Sequence, residues 1–335
     1  MTHYAVVIPT LVRDTLADCL AALAAATGPA PAEIVLVDDR AGAVPGPLEH
    51  PLSVLGDLRD RTTVVSGGGH GPAAARNSAL RRVTSPWVVF LHDDVQVGPH
   101  WCEQVAADLG EASPETAGVQ GVITVPLPAE RRPTQGERTT AGLARARWST
   151  ADMAYRTDVL KQVGGFDERF RRAHREDTDL ALRVLDAGWR VRRGRRSTRH
   201  PVRPTGRWVS VRAQRGNADD ALMLRLHGPG WRARAAAPRG RVRRHLAITT
   251  AGVAACVLAA TGRGAAAAVA AGGWAVGTGE FAWARVAPGP RTRYEVTTGL
   301  VTSVVIPPVA SWYWLTGLWR YRGALPWREG RRPRP

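Results

Sequence analysis

The sequence predicts an α/β protein with a mostly parallel sheet, followed by a C-terminal helical region. Up to about residue 200, short Val- and Ile-rich runs alternate with helix-periodic segments, the pattern of buried parallel strands joined by crossover helices. From about residue 244 the composition shifts to long, nearly charge-free apolar runs flanked by arginine. A chain of 335 residues suffices for one large domain or two ordinary ones. The shift places a boundary near residue 235, giving an α/β domain over 1–235 and a helical region over 236–335.

In chain order, YAVVIPT (4–10) reads as a buried strand and TLADCLAALAAAT (15–27) as the helix after it. EIVLVDD (33–39) is a second strand that ends on two carboxylates, and TTVVSGG (62–68) is a third. GPAAARNSALRRV (71–83) is a helix whose start is marked by Gly71 and Pro72. WVVFLHDD (87–94) is a fourth strand, again with acids at its C-terminal end, and GVQGVITVPL (118–127) is a fifth. Residues 128–148 are polar, punctuated by Pro and Gly and without periodicity, which predicts a mobile loop. In GGFDERFRRAHREDTDLALRVLDAGWRV (164–191), a helix opens on Glu176 and Asp177, where acids favour the positive helix end. Three apolar runs follow, at 246–262, 264–283 and 296–319, with Trp and Tyr near their ends as interfacial anchors. The expected arrangement is a membrane hairpin of the first two, plus a third run bent or re-entrant at Pro307–Pro308. The arginines of 232–244 and 318–332 then lie on the cytoplasmic side.

The formal net charge is +17 and the pI about 11.3, carried almost entirely by arginine, with Lys161 the one lysine. Such a chain suits anions, nucleotide diphosphates or anionic lipid head groups. Nucleic acid is disfavoured: the arginines are not interleaved with stacking aromatics, and neither helix-turn-helix nor zinc-finger spacing occurs. Cys19, Cys102 and Cys256 lie far apart, which argues against a disulfide framework or a structural zinc site. The N-terminus enters the first strand directly, without signal-peptide features, so this end is expected in the cytoplasm.

Asp38–Asp39 and Asp93–Asp94 both fall at the carboxyl ends of predicted strands, where parallel sheets bind their ligands. A single Asp-Asp pair after a strand is commonly a turn cap. Two pairs at neighbouring strand ends can instead hold a hard divalent cation together with phosphate oxygens. No G-x-G-x-x-G follows the first strand and no G-x-x-x-x-G-K-[ST] occurs, which argues against a dinucleotide dehydrogenase or a P-loop NTPase. A carboxylate at a helix start, as at Asp177, caps the helix and can also serve as a general base.

Taken in order, VVIPT, IVLVDDR, GPAAARNSAL, FLHDDV, GGFDERF and REDTDLALR resemble family 2 glycosyltransferases across roughly residues 4–230. Those are inverting enzymes of the GT-A type, built on a Rossmann-like sheet. The resemblance implies that Thr10 and Asp39 contact a nucleotide base, with a pyrimidine favoured, that Arg76 belongs to the same nucleotide site, and that Asp93 and Asp94 form a motif binding the metal and the nucleotide's diphosphate. It implies Asp94 as direct ligand of Mn2+ or Mg2+, with His200 completing the metal site. It makes Asp177 the base that deprotonates the acceptor and Glu176 the residue that orients acceptor or base. The donor is then a nucleotide-diphosphate sugar and the acceptor a hydroxyl, lipid-linked or in a cell-envelope glycan, handled at the cytoplasmic face of the cell membrane.

PTLVRDT lacks the family's usual aromatic-Asn after PT, and DDR replaces the commoner DDGS; both bear on the finer nucleotide contacts. The processive Q-x-x-R-W signature is absent, RPTGRW (203–208) being a partial echo, which favours single-sugar transfer. Two other classes compete. A sugar nucleotidyltransferase would also use paired acids and metal, but it normally carries a glycine-rich signature near the first strand. A non-catalytic membrane protein on a decayed transferase fold would have no need of intact Asp39, Asp94 and Asp177.

Overall fold

The computed structural model describes residues 3–42 and 49–327. The described chain divides into two compact units. One holds the residues up to Pro126, Ala141–Pro201 and Trp327; the other holds Leu127–Thr140 and Val202–Pro326. The boundary expected near residue 235 therefore lies inside the second unit.

In the first unit, strand β1 (Tyr4–Thr10) is followed by α1 (Thr15–Ala24), β2 (Glu33–Asp38), α2 (Glu49–Ser53), β3 (Thr62–Ser66) and α3 (Pro72–Leu80). Next come β4 (Trp87–Leu91), β5 (Gln96–Val97), α4 (Trp101–Gly110) and β6 (Thr116–Thr124). After α5 (Gln135–Ala141), most of which groups with the second unit, the first unit resumes with β7 (Asp152–Arg156), α6 (Thr157–Gln162), α7 (Glu176–Asp186) and β8 (Arg190–Arg199). The described strands form one eight-stranded sheet in the order β3-β2-β1-β4-β7-β6-β8-β5. The first four are mutually parallel, as the sequence predicts. Beyond β4 the sheet is mixed: β7 runs antiparallel to β4 and β6, and β5 antiparallel to β8.

Alternation along β1 shows how both faces are filled. Tyr4, Val6 and Ile8 pack with Leu16, Leu20 and Leu23 of α1 and Trp101 and Val105 of α4. Ala5 and Val7 point the other way, to Ala75 and Leu80 of α3, Leu160 of α6, and Leu180 and Val184 of α7. Continuous apolar strands are what a sheet covered on both faces requires. Each fully buried Val, Leu or Ile contributes ~1.5–3 kcal/mol.

An all-polar cluster lies beneath the mixed half. Arg196 is fully buried and donates to Asp152 at 2.6 Å, Asp108 at 3.0 Å and the Val119 carbonyl at 2.6 Å. Asp152 also accepts from Trp101 Nε1 at 2.9 Å and from Thr198 Oγ1. This network ties β6, β7, β8 and α4 together, and explains how the arginine-rich RVRRGRRSTR can form an interior strand.

The second unit contains α8 (Val209–Arg212), α9 (Gly216–His227), α10 (Trp231–Arg234), α11 (Val242–Ala260), α12 (Gly264–Val286) and α13 (Arg293–Arg320). One expectation is corrected here. Residues 128–148 are not a structureless loop, because they include α5. Its segment is held by Arg131 to Glu137 at 2.7 Å, Arg138 to the Arg285 carbonyl at 2.8 Å, and Glu295 to the Gln135 amide at 3.0 Å. The third apolar run is one helix, α13, which continues through Pro307 and Pro308 over 28 residues. Gly317 lets that helix lie directly on Ala218 and Ala221 of α9, where a Cβ would come within 2.7 Å of backbone. Among the described residues, α11 and α13 are long and apolar enough to cross a membrane, by length and composition alone.

Candidate active site

The register Thr10↔Asp38↔Ser66 aligns the carboxyl ends of β1, β2 and β3, and β4 ends beside them at Leu91. The chain continues from β4 as His92–Asp93–Asp94. Asp38 and Asp39, one residue apart, have different surroundings. Asp38 is held by Arg40 in a fork with contacts of 2.9 and 2.6 Å, and this hydrogen-bonded arginine keeps its carboxyl below the usual range. Asp39 accepts from the backbone amides of His70 at 3.1 Å and Gly71 at 3.0 Å. Burial nevertheless raises its pKa. Gly71 has φ +97, and an added Cβ would strike the Arg171 carbonyl at 2.3 Å. Only glycine fits this junction, which joins the start of α3 to the 171 segment and aims an amide at Asp39.

Thr10 and Asp93 face each other. The Thr10 hydroxyl donates to Asp93 Oδ2 at 2.8 Å, and Arg13 approaches the same carboxylate at 3.3 Å. Asp93 thus fixes the turn after β1 to the end of β4.

Asp94 turns to the other side of the strand end. His200, at the end of β8, brings Nε2 to 3.4 Å from Asp94 Oδ1, and His92 brings Nδ1 to 3.9 Å from the same oxygen. One ligand atom from each of the three residues lies within 4.8 Å of the others. Sequence reasoning named Asp94 and His200 but missed His92. The signal was the two-residue period of an extended chain, which puts His92 and Asp94 on one side.

The outer contacts of this trio suit a cation. His200 Nδ1 lies 3.1 Å from the Pro201 carbonyl, which can only accept, so that nitrogen carries the proton and Nε2 presents its lone pair. His92 Nε2 lies 3.4 Å from the Thr150 hydroxyl, and donation there leaves the Nδ1 lone pair on the side of Asp94. Two imidazoles and a carboxylate leave positions open for further oxygen ligands. They suit Mn2+ better than Mg2+, which prefers an all-oxygen shell.

The acids at the start of α7 reach the end of β4 through a packed series. Phe90 meets Phe166 edge to face at 5.2 Å, and the Arg76 guanidinium lies 5.3 Å over the same ring. Arg76 then donates to Glu176 at 3.0 Å. Asn77, beside Arg76, clamps the Phe166 backbone twice, accepting from its amide and donating to its carbonyl, both at 2.8 Å. This explains why ARN and GGF occur together. Arg76 is therefore buried against Glu176.

Glu176 Oε2 is buried without a hydrogen-bond partner. Burial, then the charge of Asp177, push its carboxyl up to about 7 against the opposing pull of Arg76. Asp177 is half-buried and accepts from the Thr178 amide at 2.6 Å at the first turn of α7. The residue before this pair, Arg175, has φ +78. A non-glycine residue there is a local cost that active sites often carry.

A model of glycosyl transferase family 2 matches residues 5–176, just over half of the sequence, and the chain belongs to that family. Two pre-mycofactocin glycosyltransferases of Mycobacterium tuberculosis, from strains CDC 1551 / Oshkosh and ATCC 25618 / H37Rv, are each 32% identical over 136 residues. Those alignments cover 36% of this chain and 28% of each relative, so the chain spans little more than a quarter of their length. Among solved structures, the mannosyltransferase PcManGT from Pyrobaculum calidifontis, in complex with GDP-Man and Mn2+, is similar in fold. Its TM-score is 0.50 at 18% identity, over 92% of this chain and 87% of that one.

Proposed function

We propose that this chain is an inverting glycosyltransferase that moves one sugar from a nucleotide-diphosphate sugar to an acceptor hydroxyl. The observation that carries this reading is the His92–Asp94–His200 trio at the end of β4, linked by packed side chains to the acids opening α7. Family membership supports it, as does the Mn2+ complex of a protein with similar fold.

Asp94, His92 and His200 hold the cation, with Mn2+ preferred. When bound, it acts as a Lewis acid that neutralises charge on the diphosphate leaving group. Asp39 lies at the end of β2, beside the amides of the 70–71 turn, and contacts the base of the donor nucleotide, a pyrimidine for preference. Thr10 and Asp93 shape that site from behind by fixing the β1 turn, and Arg76 serves it indirectly through Glu176. Asp177 takes the proton of the acceptor hydroxyl. The acceptor oxygen bonds to the anomeric carbon from the face opposite the nucleotide, and the sugar–phosphate bond breaks with its electron pair going to the diphosphate. Glu176, locked to Arg76, fixes the backbone from which Asp177 projects.

The helical unit associates with the cytoplasmic face of the cell membrane, and the acceptor is lipid-linked or part of a cell-envelope glycan. Two long apolar helices and their arginine flanks support this.

The test is a screen of sugar nucleotides for Mn2+-dependent thermal stabilisation, because a ligand of the folded state at 100 times its Kd adds about 2.7 kcal/mol. One donor should stabilise with Mn2+ and release nucleoside diphosphate when acceptor is added. Release of pyrophosphate would instead identify a nucleotidyltransferase, and stabilisation by no donor would defeat the reading.

A further inference from the structure

Hydropathy favours α11 and α13 as the membrane-crossing pair, but side-chain exposure assigns the parts differently. We propose that α11 and α12 cross the bilayer as a hairpin, delivering Arg263 to the far head groups, while α13 lies in the near interface along a tryptophan-bearing stripe. The proposal rests on the membrane association inferred above and adds its topology.

From Leu246 to Gly279 the single charged residue is Arg263, in the turn between α11 and α12. Along both arms the apolar side chains face outward: Val253, Val257, Val269 and Val276 are 56–78% exposed. Only 11% of the apolar window of α11 is buried, against 44% for α13. The two arms meet through glycines, with Gly252 against Trp274 and Gly277 against Ile248, where an added Cβ would come within 2.9 and 2.7 Å. Such close approach at small residues is how helices pair in lipid, where apolar burial gives no drive.

The charge-free arms are 17 and 16 residues long, about 25 Å at 1.5 Å per residue, slightly less than a hydrocarbon core of ~30 Å. The arginine stem carries its guanidinium across the remainder. A hairpin inserted half-way would strand that charge in hydrocarbon. At the other end Glu280 is neutralised by Arg241 at 3.0 Å and Arg244 at 3.1 Å, marking the near head-group level.

In α13 the exposed residues Val301, Val304, Trp312, Leu315 and Trp319 recur every three or four positions, or twice that, and form one face. Thr302, Ser303, Ile306 and Ala310 are buried, and Gly317 rests on α9. A helix with one side committed to protein and one apolar side carrying tryptophans suits the plane of the membrane interface.

The experiment uses the full chain in membrane vesicles of known sidedness, with Cys256→Ala as background, since Cys19 and Cys102 are buried. Single cysteines are introduced as Arg263→Cys and, on the near side, Arg239→Cys, with Thr261→Cys as a second tip probe. The expected result is that the chain floats with the vesicles after an alkaline wash. An impermeant maleimide then reaches 261 or 263 only from the face opposite 239, and a nitroxide on Trp312→Cys reads at head-group depth. Tip and 239 reacting from one face, a tip unreactive from both faces, or Trp312→Cys at the bilayer midplane would overturn the topology while leaving membrane association intact. A chain that does not float overturns both.

Discussion

Arg76 donates to Glu176 across 3.0 Å where the two side chains are 2% and 3% exposed. The pair joins α3 to the first turn of α7 and sits directly behind Asp177. Above about pH 7, where Glu176 is ionised, removing the cation leaves a buried carboxylate without its partner, which costs about 3–5 kcal/mol. Arg76→Met should therefore lower the urea midpoint by that equivalent, with Arg76→Lys in between. An Arg76→Met chain of unchanged stability but weakened donor binding would instead place Arg76 on the nucleotide.

Glu176 should leave a signature in the pH dependence of stability. Its folded pKa, about 7, lies above the ordinary 4.5 because of burial and the neighbouring Asp177. The folded state thus holds this proton more tightly than the unfolded state does. The contribution is complete below about pH 4.5, shrinks as pH rises toward 7 and is gone above it. Urea midpoints between pH 5 and 7 should fall with a component that Glu176→Gln removes.

The metal trio gives a third expectation. His92→Ala and His200→Ala should each weaken Mn2+ affinity by ~100-fold, at the upper end of the 10–100-fold seen for losing a mere outer-shell partner. Asp93→Asn should leave Mn2+ binding within a few fold, because Asp93 faces Thr10 and Arg13. Calorimetric Mn2+ titration of the three variants checks this, and equal losses in all three would place Asp93 among the ligands. Mg2+ should bind more weakly than Mn2+ throughout.

Much of this was legible in the sequence because it follows from local pattern. The Val-rich runs, two of them ending in Asp39 and Asp94, gave the first four strands and the edge that carries the candidate site. The helix opening on Glu176–Asp177 was likewise readable from its acids. β7 was not readable as a sheet partner because DMAYR is short; the basic run before His200 reads as a strand, but its interior place follows only once Asp108 and Asp152 neutralise Arg196. The partner of Arg76 was not readable either: an arginine on a helix gives no sign that Glu176, a hundred residues away, faces it. His92 was not readable because its grouping with His200 exists only in the folded chain.

The Arg196 cluster yields a stability prediction independent of catalysis. Arg196→Met strands two buried carboxylates, Asp108 and Asp152, and should cost at least the ~3–5 kcal/mol of a single broken buried pair. If the urea midpoint moved by less than the equivalent of 1 kcal/mol, the network would be ornamental.

The central claim is that Asp177 removes the acceptor proton while the donor is held elsewhere. Asp177→Asn keeps the size and the cap on Thr178 but cannot accept that proton. Single-turnover transfer with the identified donor should slow by about 10²–10⁴-fold, the range of general-base catalysis, with donor and Mn2+ affinities unchanged. Transfer at the wild-type rate in the Asp177→Asn chain would contradict the account.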